Sequence, residues 1–139
     1  MNKVAIVFWS GTGHTEQMAR AIAEGAGEAV LLSPGEFTAA DMANYDVIAF
    51  GCPAMGAEQL EESEFEPMFA AVEGSLNGKK IALFGSYGWG SGEWMEAWSA
   101  RCQQDGAILK DVSGLIVNEE PDDDTLDSCR LLGRELAAW

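Results

Sequence analysis

The chain has 139 residues, with 23 Asp and Glu against 8 Lys and Arg, for a formal charge of −15. That length suits a single domain with its own core, and that charge opposes binding to nucleic acid or to an anionic membrane surface. No run of about 18 apolar residues is present, so no transmembrane helix is expected; Met1-Asn2-Lys3 leads into an apolar stretch without the regions of a signal peptide, so a cytoplasmic location is expected.

The expected elements follow in chain order. Residues 3–9 form an apolar run rich in β-branched and aromatic residues, which predicts a strand buried on both faces. Gly11 and Gly13 break it. From about Thr15, Met18, Ala19, Ile22 and Ala23 recur at helical spacing, with Gly25 and Gly27 as expected stops. Residues 28–32 read as a second strand, 33–35 as a turn and 46–51 as a third strand. A polar, acidic loop over 54–64 precedes a helix over 65–72. Residues 79–86 read as a fourth strand, followed by a glycine-rich loop to Gly92 and a helix over 93–104. Trp94, Met95 and Trp98 of that helix are expected in the core. A fifth strand is expected over 112–117, with an extension near Ile108, and a helix over 122–138 closes the chain. Strand and helix alternate throughout, which implies one α/β domain over 1–139 with a parallel sheet covered on both faces by helices.

The chain has three cysteines and one histidine. The odd cysteine count, without a Cys-x-x-Cys pair or a His/Cys cluster, suggests neither a redox dithiol nor a metal site. In an open α/β sheet, ligands bind beyond the carboxyl ends of the strands, where strand order reverses. The loops after strands one, three and four are therefore the informative ones.

After strand one comes Ser10-Gly11-Thr12-Gly13-His14-Thr15. Its glycines allow close backbone approach to an anion, and the following helix aims free N–H groups and a positive dipole end at it. The hydroxyls of Ser10, Thr12 and Thr15 can add donors. No Gly-Lys-Ser/Thr is present, so this is not a P-loop. Glu16 stands where a dinucleotide fingerprint needs its third glycine, so a monophosphate fits better. After strand three comes Gly51-Cys52-Pro53-Ala54-Met55-Gly56-Ala57-Glu58. After strand four, Trp89 lies among glycines in Gly85-Ser86-Tyr87-Gly88-Trp89-Gly90-Ser91-Gly92, where it needs a flat partner to stack on.

Trp9-Ser10-Gly11-Thr12-Gly13-His14-Thr15, Gly51-Cys52-Pro53-Ala54-Met55-Gly56, residues 84–94 and Ile116-Val117-Asn118-Glu119 together resemble the short-chain flavodoxins of anaerobic bacteria, over essentially the whole chain. The resemblance implies a doubly wound, flavodoxin-like sheet of five parallel strands in the order 2-1-3-4-5; flavodoxin is itself the standing example of that order, with FMN at the switch point between strands one and three. It implies a low-potential one-electron carrier, not an enzyme, cycling FMN mainly between semiquinone and hydroquinone. Residues 10–15 would hold the FMN phosphate, and Trp9 would also contact the cofactor. Met55 would cover the inner face of the ring and Trp89 the outer face, with Pro53 and Ala54 also binding the cofactor. Glu58 would accept from the ring N3–H, and the Gly56–Ala57 peptide would respond to protonation at N5. Backbone groups of Ser86, Tyr87 and Gly88 would meet the pyrimidine edge, and Asn118 would contact the ring region. Two residues depart from the family pattern: His14 stands where Asn is usual, and Ala57 where a polar residue or Gly is usual.

The partners implied are redox proteins with basic patches, acting as donors and acceptors to a monomer, and the acidic segment 58–66 is the expected docking surface. The alternative is an FMN-dependent NAD(P)H:quinone-type reductase, which normally adds segments that this chain has little length to hold. A receiver-type phosphoacceptor needs acids where Ser10 and Gly51 stand. The run 119–124 reads as a solvated helix start.

Overall fold

A computed structural model describes residues 1–139. Strands β1 (Val4–Phe8), β2 (Ala29–Leu32), β3 (Val47–Gly51), β4 (Lys80–Tyr87), β5 (Ile108–Leu109) and β6 (Leu115–Asn118) alternate with helices α1 (His14–Ala26), α2 (Phe65–Val72), α3 (Glu93–Gln104) and α4 (Asp123–Ala138). The sheet runs β2-β1-β3-β4-β5, with β6 also paired to β4, and every pairing is parallel.

Strand alternation divides the core into two. Ala5, Val7, Ile48, Phe50, Ile81 and Leu83 face the layer formed by α2 and α3. Val4, Ile6, Val47, Ala49, Ala82 and Phe84 face α1 and α4. The period-two side-chain pattern of a strand makes this division unavoidable once both faces are covered. In the first layer Phe50 meets Phe69 edge-on at 5.2 Å between centroids, and Phe65 meets Trp98 at 5.4 Å. Trp94, Met95 and Trp98 are buried there, as their spacing predicts.

Three expectations need correction. The fifth sheet position is filled by two short strands: β5 pairs with Lys80–Ile81 and β6 with the stretch from Phe84 to Tyr87. Between them Asp111 closes a turn, accepting from Ser113 N at 2.9 Å and Gly114 N at 3.1 Å, which leaves Val112 60% exposed instead of in a strand. The crossover from β2 to β3 carries no α-helix. It uses 3₁₀ turns at Pro34–Glu36 and Ala39–Asn44, whose starts are held by Ser33 with Glu36 and Thr38 with Asp41. Lastly, Gly25 does not stop α1, which ends at Gly27. Gly25 instead faces α4, where an added Cβ would lie 1.9 Å from the Arg130 carbonyl oxygen.

Candidate functional site

The carboxyl ends of β1, β3 and β4 open on a cleft of about 350 Å³. Its lining includes Trp9, Gly11, Thr12, His14, Pro53, Ala54, Met55, Ser86, Tyr87 and Gly88, so the structure brings these expected residues together. A depression of about 620 Å³ lies at the opposite pole, around Met1, Val30 and Tyr45, away from the glycine loops.

The loop after β1 turns into α1 at Gly13, whose φ of 95° lies in the left-handed region that L side chains avoid. Ser10 sits inside the turn. Its Oγ accepts from Gly13 N at 3.1 Å and Glu16 N at 3.2 Å, which leaves the hydroxyl proton free to donate. The N–H groups of Gly11, Thr12, His14 and Thr15 take no acceptor within the protein. Thr15 is buried behind them, with its hydroxyl 3.2 Å from Ser86 Oγ, so it ties the loop to β4 and does not face the cleft freely.

The loop after β3 is a tight turn closed by Met55 N donating to Gln59 O at 2.8 Å and Gln59 N to Met55 O at 2.9 Å. Gly56 and Glu58 inside it both have positive φ, 50° and 56°. Gly56 and Ala57 are exposed at its tip. Glu58 reaches to the start of α3, where its Oε2 accepts from Glu93 N at 3.0 Å. Its Oε1 is buried with no partner. An acceptor left unpaired in this way suits a ligand donor.

Trp89 stands 68% exposed at the rim, with Met55 37% exposed. The loop after β4 is braced by Asn118, whose Nδ2 donates to the carbonyls of Tyr87 and Gly88, each at 3.3 Å. Asn118 therefore supports the wall. Glu119, expected in a solvated helix start, lines the cleft with φ 60°. Its N–H donates to Tyr87 O at 2.7 Å. Nothing in its residue type signals this; the strained backbone is a property of the folded loop.

The acidic segment 58–66 serves mainly internal ends, which weakens its reading as a docking surface. Glu61 is only 5% exposed, and its carboxylate accepts from Ser63, Glu64 and Phe65 N, each at 2.8 Å, capping α2. Burial pushes this carboxyl up, but the three backbone donors outweigh that and hold it below the usual glutamate range. Glu66 is bidentate to Arg101 at 2.7 Å. Glu64 accepts from Trp9 Nε1 at 2.8 Å. Glu62 and Glu64 are the exposed acids of the segment. Cys52 lies below it, accepting from Glu61 N at 3.3 Å, and burial pushes the Cys52, Cys102 and Cys129 thiols up to about 12. They are unreactive core residues.

Four free backbone donors and one hydroxyl suit a single phosphate, and the cleft suits one nucleotide-sized group. These features place the chain among the α/β proteins that hold a mononucleotide at the sheet's switch point. The Flavodoxin family model matches residues 6–133. Flavodoxin of Megasphaera elsdenii is 49% identical, over 96% of this chain and 98% of that protein; flavodoxin of Clostridium beijerinckii is 43% identical, over 95% and 97%. The solution structure of two-electron reduced Megasphaera elsdenii flavodoxin superposes with a TM-score of 0.86 at 44% identity, covering 98% of this chain and 99% of that one. The chain belongs to the flavodoxin family, whose members are FMN-binding electron carriers rather than enzymes. The reductase alternative is not favoured.

Proposed function

We propose that the whole chain acts as one FMN-binding unit that carries electrons at low potential between redox proteins, through the residues of the cleft. The buried, unpartnered Oε1 of Glu58 carries this reading, because it is an acceptor without a donor in the protein, on the loop whose Met55 lines the cleft. FMN, when bound, supplies reversible one- and two-electron chemistry. The protein's part is to bind, orient and tune.

Gly11, Thr12, His14 and Thr15 offer N–H groups to the phosphate, and Ser10 offers its hydroxyl. Met55 and the exposed Trp89 would cover the two faces of the ring, which would remove Trp89 from water. Glu58 would accept from N3–H. The Gly56 carbonyl accepts no hydrogen bond within the protein and would be free to accept one from a donor at N5 of the ring. Glu58, Glu62, Glu64, Glu119 and the first-turn acids of α4 surround this end of the sheet and disfavour added negative charge, which lowers the potential for the second electron. The same charge favours partners with basic patches. No helix is long and apolar enough to cross a membrane. Three buried thiols without a disulfide suit a reducing cytoplasm, and we assign the chain there as a monomer.

The purified protein should be yellow, and boiling should release FMN and not FAD. It should cycle electrons without oxidising NAD(P)H in steady state. A colourless protein that does not bind added FMN overturns the reading.

A further inference from the structure

We infer that His14 sets the chain's preference for a phosphorylated flavin, by placing the cleft's one basic side chain beside the phosphate loop. This rests on the function proposed above. His14 is the first residue of α1 and lines the cleft, half-buried, with no hydrogen bond from its ring to the protein. No Lys or Arg lines that cleft. Arg20 is held by Glu16, Arg101 by Glu66 and Glu73, and Arg130 by Glu24 and Asp127. Lys79 and Lys80 are tied to backbone carbonyls of Met42, Tyr45 and Trp139.

The charges around His14 are otherwise acidic. Glu119 and the phenol Tyr87 share the cleft. Glu16 on the same turn of α1 is engaged by Arg20. Helix α4, packed on α1, contributes Asp123 and Asp124 in its first turn, with Asp122 as its cap and Asp127 paired to Arg130. A phosphate dianion entering this surround meets repulsion, which the backbone donors oppose. An imidazolium at position 14 adds a charge-assisted donor at the loop itself. Riboflavin, which lacks the phosphate, gains nothing from it.

An imidazole gains charge between pH 8 and pH 5. A phosphate monoester takes its second proton near pH 6, so acid weakens the ligand while it strengthens the histidine. The informative quantity is the ratio of dissociation constants, His14→Asn over wild type, at each pH. Quenching of flavin fluorescence on titration into apoprotein measures it for FMN and for riboflavin. For FMN the ratio should be near one at pH 8 and rise to roughly tenfold or more at pH 6, the low end for one charge-assisted hydrogen bond. For riboflavin it should stay near one at both. An FMN ratio that does not change with pH, or an equal rise for riboflavin, overturns the role of His14 and leaves the FMN reading intact. Failure of both proteins to bind FMN at any pH overturns both.

Discussion

Trp9 Nε1 donates a 2.8 Å hydrogen bond to Glu64 Oε2, joining the phosphate loop after β1 to the segment between β3 and α2. Trp9 also packs against Gly11, where an added Cβ would lie 3.0 Å from the indole ring. The indole is thus fixed on two sides, and it forms one wall of the cleft. Glu64→Ala should raise the FMN dissociation constant roughly threefold, because the exposed bond is worth only a fraction of a buried one. The same change should have no effect where residue 9 is Phe, which lacks the donor. An equal effect in both backgrounds would show that Glu64 acts other than through Trp9.

Glu61 gives a prediction with a defined pH window. Its carboxyl is held below the ordinary glutamate range, so the folded state binds its proton less readily than the unfolded state does. The resulting stability is present in full above about pH 4.3, the value of a free glutamate, and is lost as pH falls through the lower folded value. Glu61→Gln leaves one oxygen where Ser63, Glu64 and Phe65 N each now find an acceptor at 2.8 Å. The variant should lose about 2 kcal/mol at pH 7, the cost of a buried donor left unpaired. That gap should narrow steadily as urea unfolding is repeated at pH values stepped down below about 4.3. A gap that does not change with pH would show that the ionised carboxylate is not what caps α2.

Helix α1 carries the phosphate loop, and α4 presses on it through two glycines. An added Cβ at Gly133 would lie 2.0 Å from Ile22 O and 2.7 Å from Ala26 N, both rigid helix backbone. Helix propensity favours alanine over glycine by about 1 kcal/mol, while overpacking costs about 1–3 kcal/mol or more. The contact is with backbone, so the clash wins. Gly133→Ala should lower the melting temperature by several degrees, and a stabilised variant would show that the two helices can part without penalty.

Where apolar period and glycine punctuation agree, as in β1, β3, β4 and α3, the sequence could be read to within a residue or two. The three site loops were equally legible, because each follows such a strand. What failed was long-range or conformational. Gly25 looks like a stop because sequence shows glycine but not the α4 backbone beside it. Val112 looks like a strand residue until Asp111 folds the chain into a turn. The 3₁₀ starts at Ser33 and Thr38 did carry a signal, an acid three residues on, which went unread because no apolar period follows. Glu119 in the cleft and Glu58 at the cap of α3 depend on side-chain reach between loops distant in sequence. The acids of 58–66 looked like a surface because a charge run normally is one; Glu61 is buried because three consecutive N–H groups need it.

Gly56 tests how the protein distinguishes flavin redox states. Its φ is 50°, and an added Cβ would meet nothing within 4 Å. A substitution there changes backbone preference without a clash. The mutual Met55–Gln59 bonds hold the ends of the turn, so any rotation of the Gly56–Ala57 peptide stays local. The left-handed conformation costs an L residue about 1–2 kcal/mol relative to glycine. If this conformation is the one that turns the Gly56 carbonyl to N5, Gly56→Thr makes that hydrogen bond harder to reach. The first one-electron potential should then fall by roughly 40–90 mV, at about 59 mV per 1.4 kcal/mol. The dissociation constant for oxidised FMN should change by less than about threefold. Potentiometric titration with both one-electron steps resolved reads the first, and fluorescence quenching the second. Unchanged potentials would remove Gly56 from the tuning of FMN and leave the turn a purely structural support for Met55.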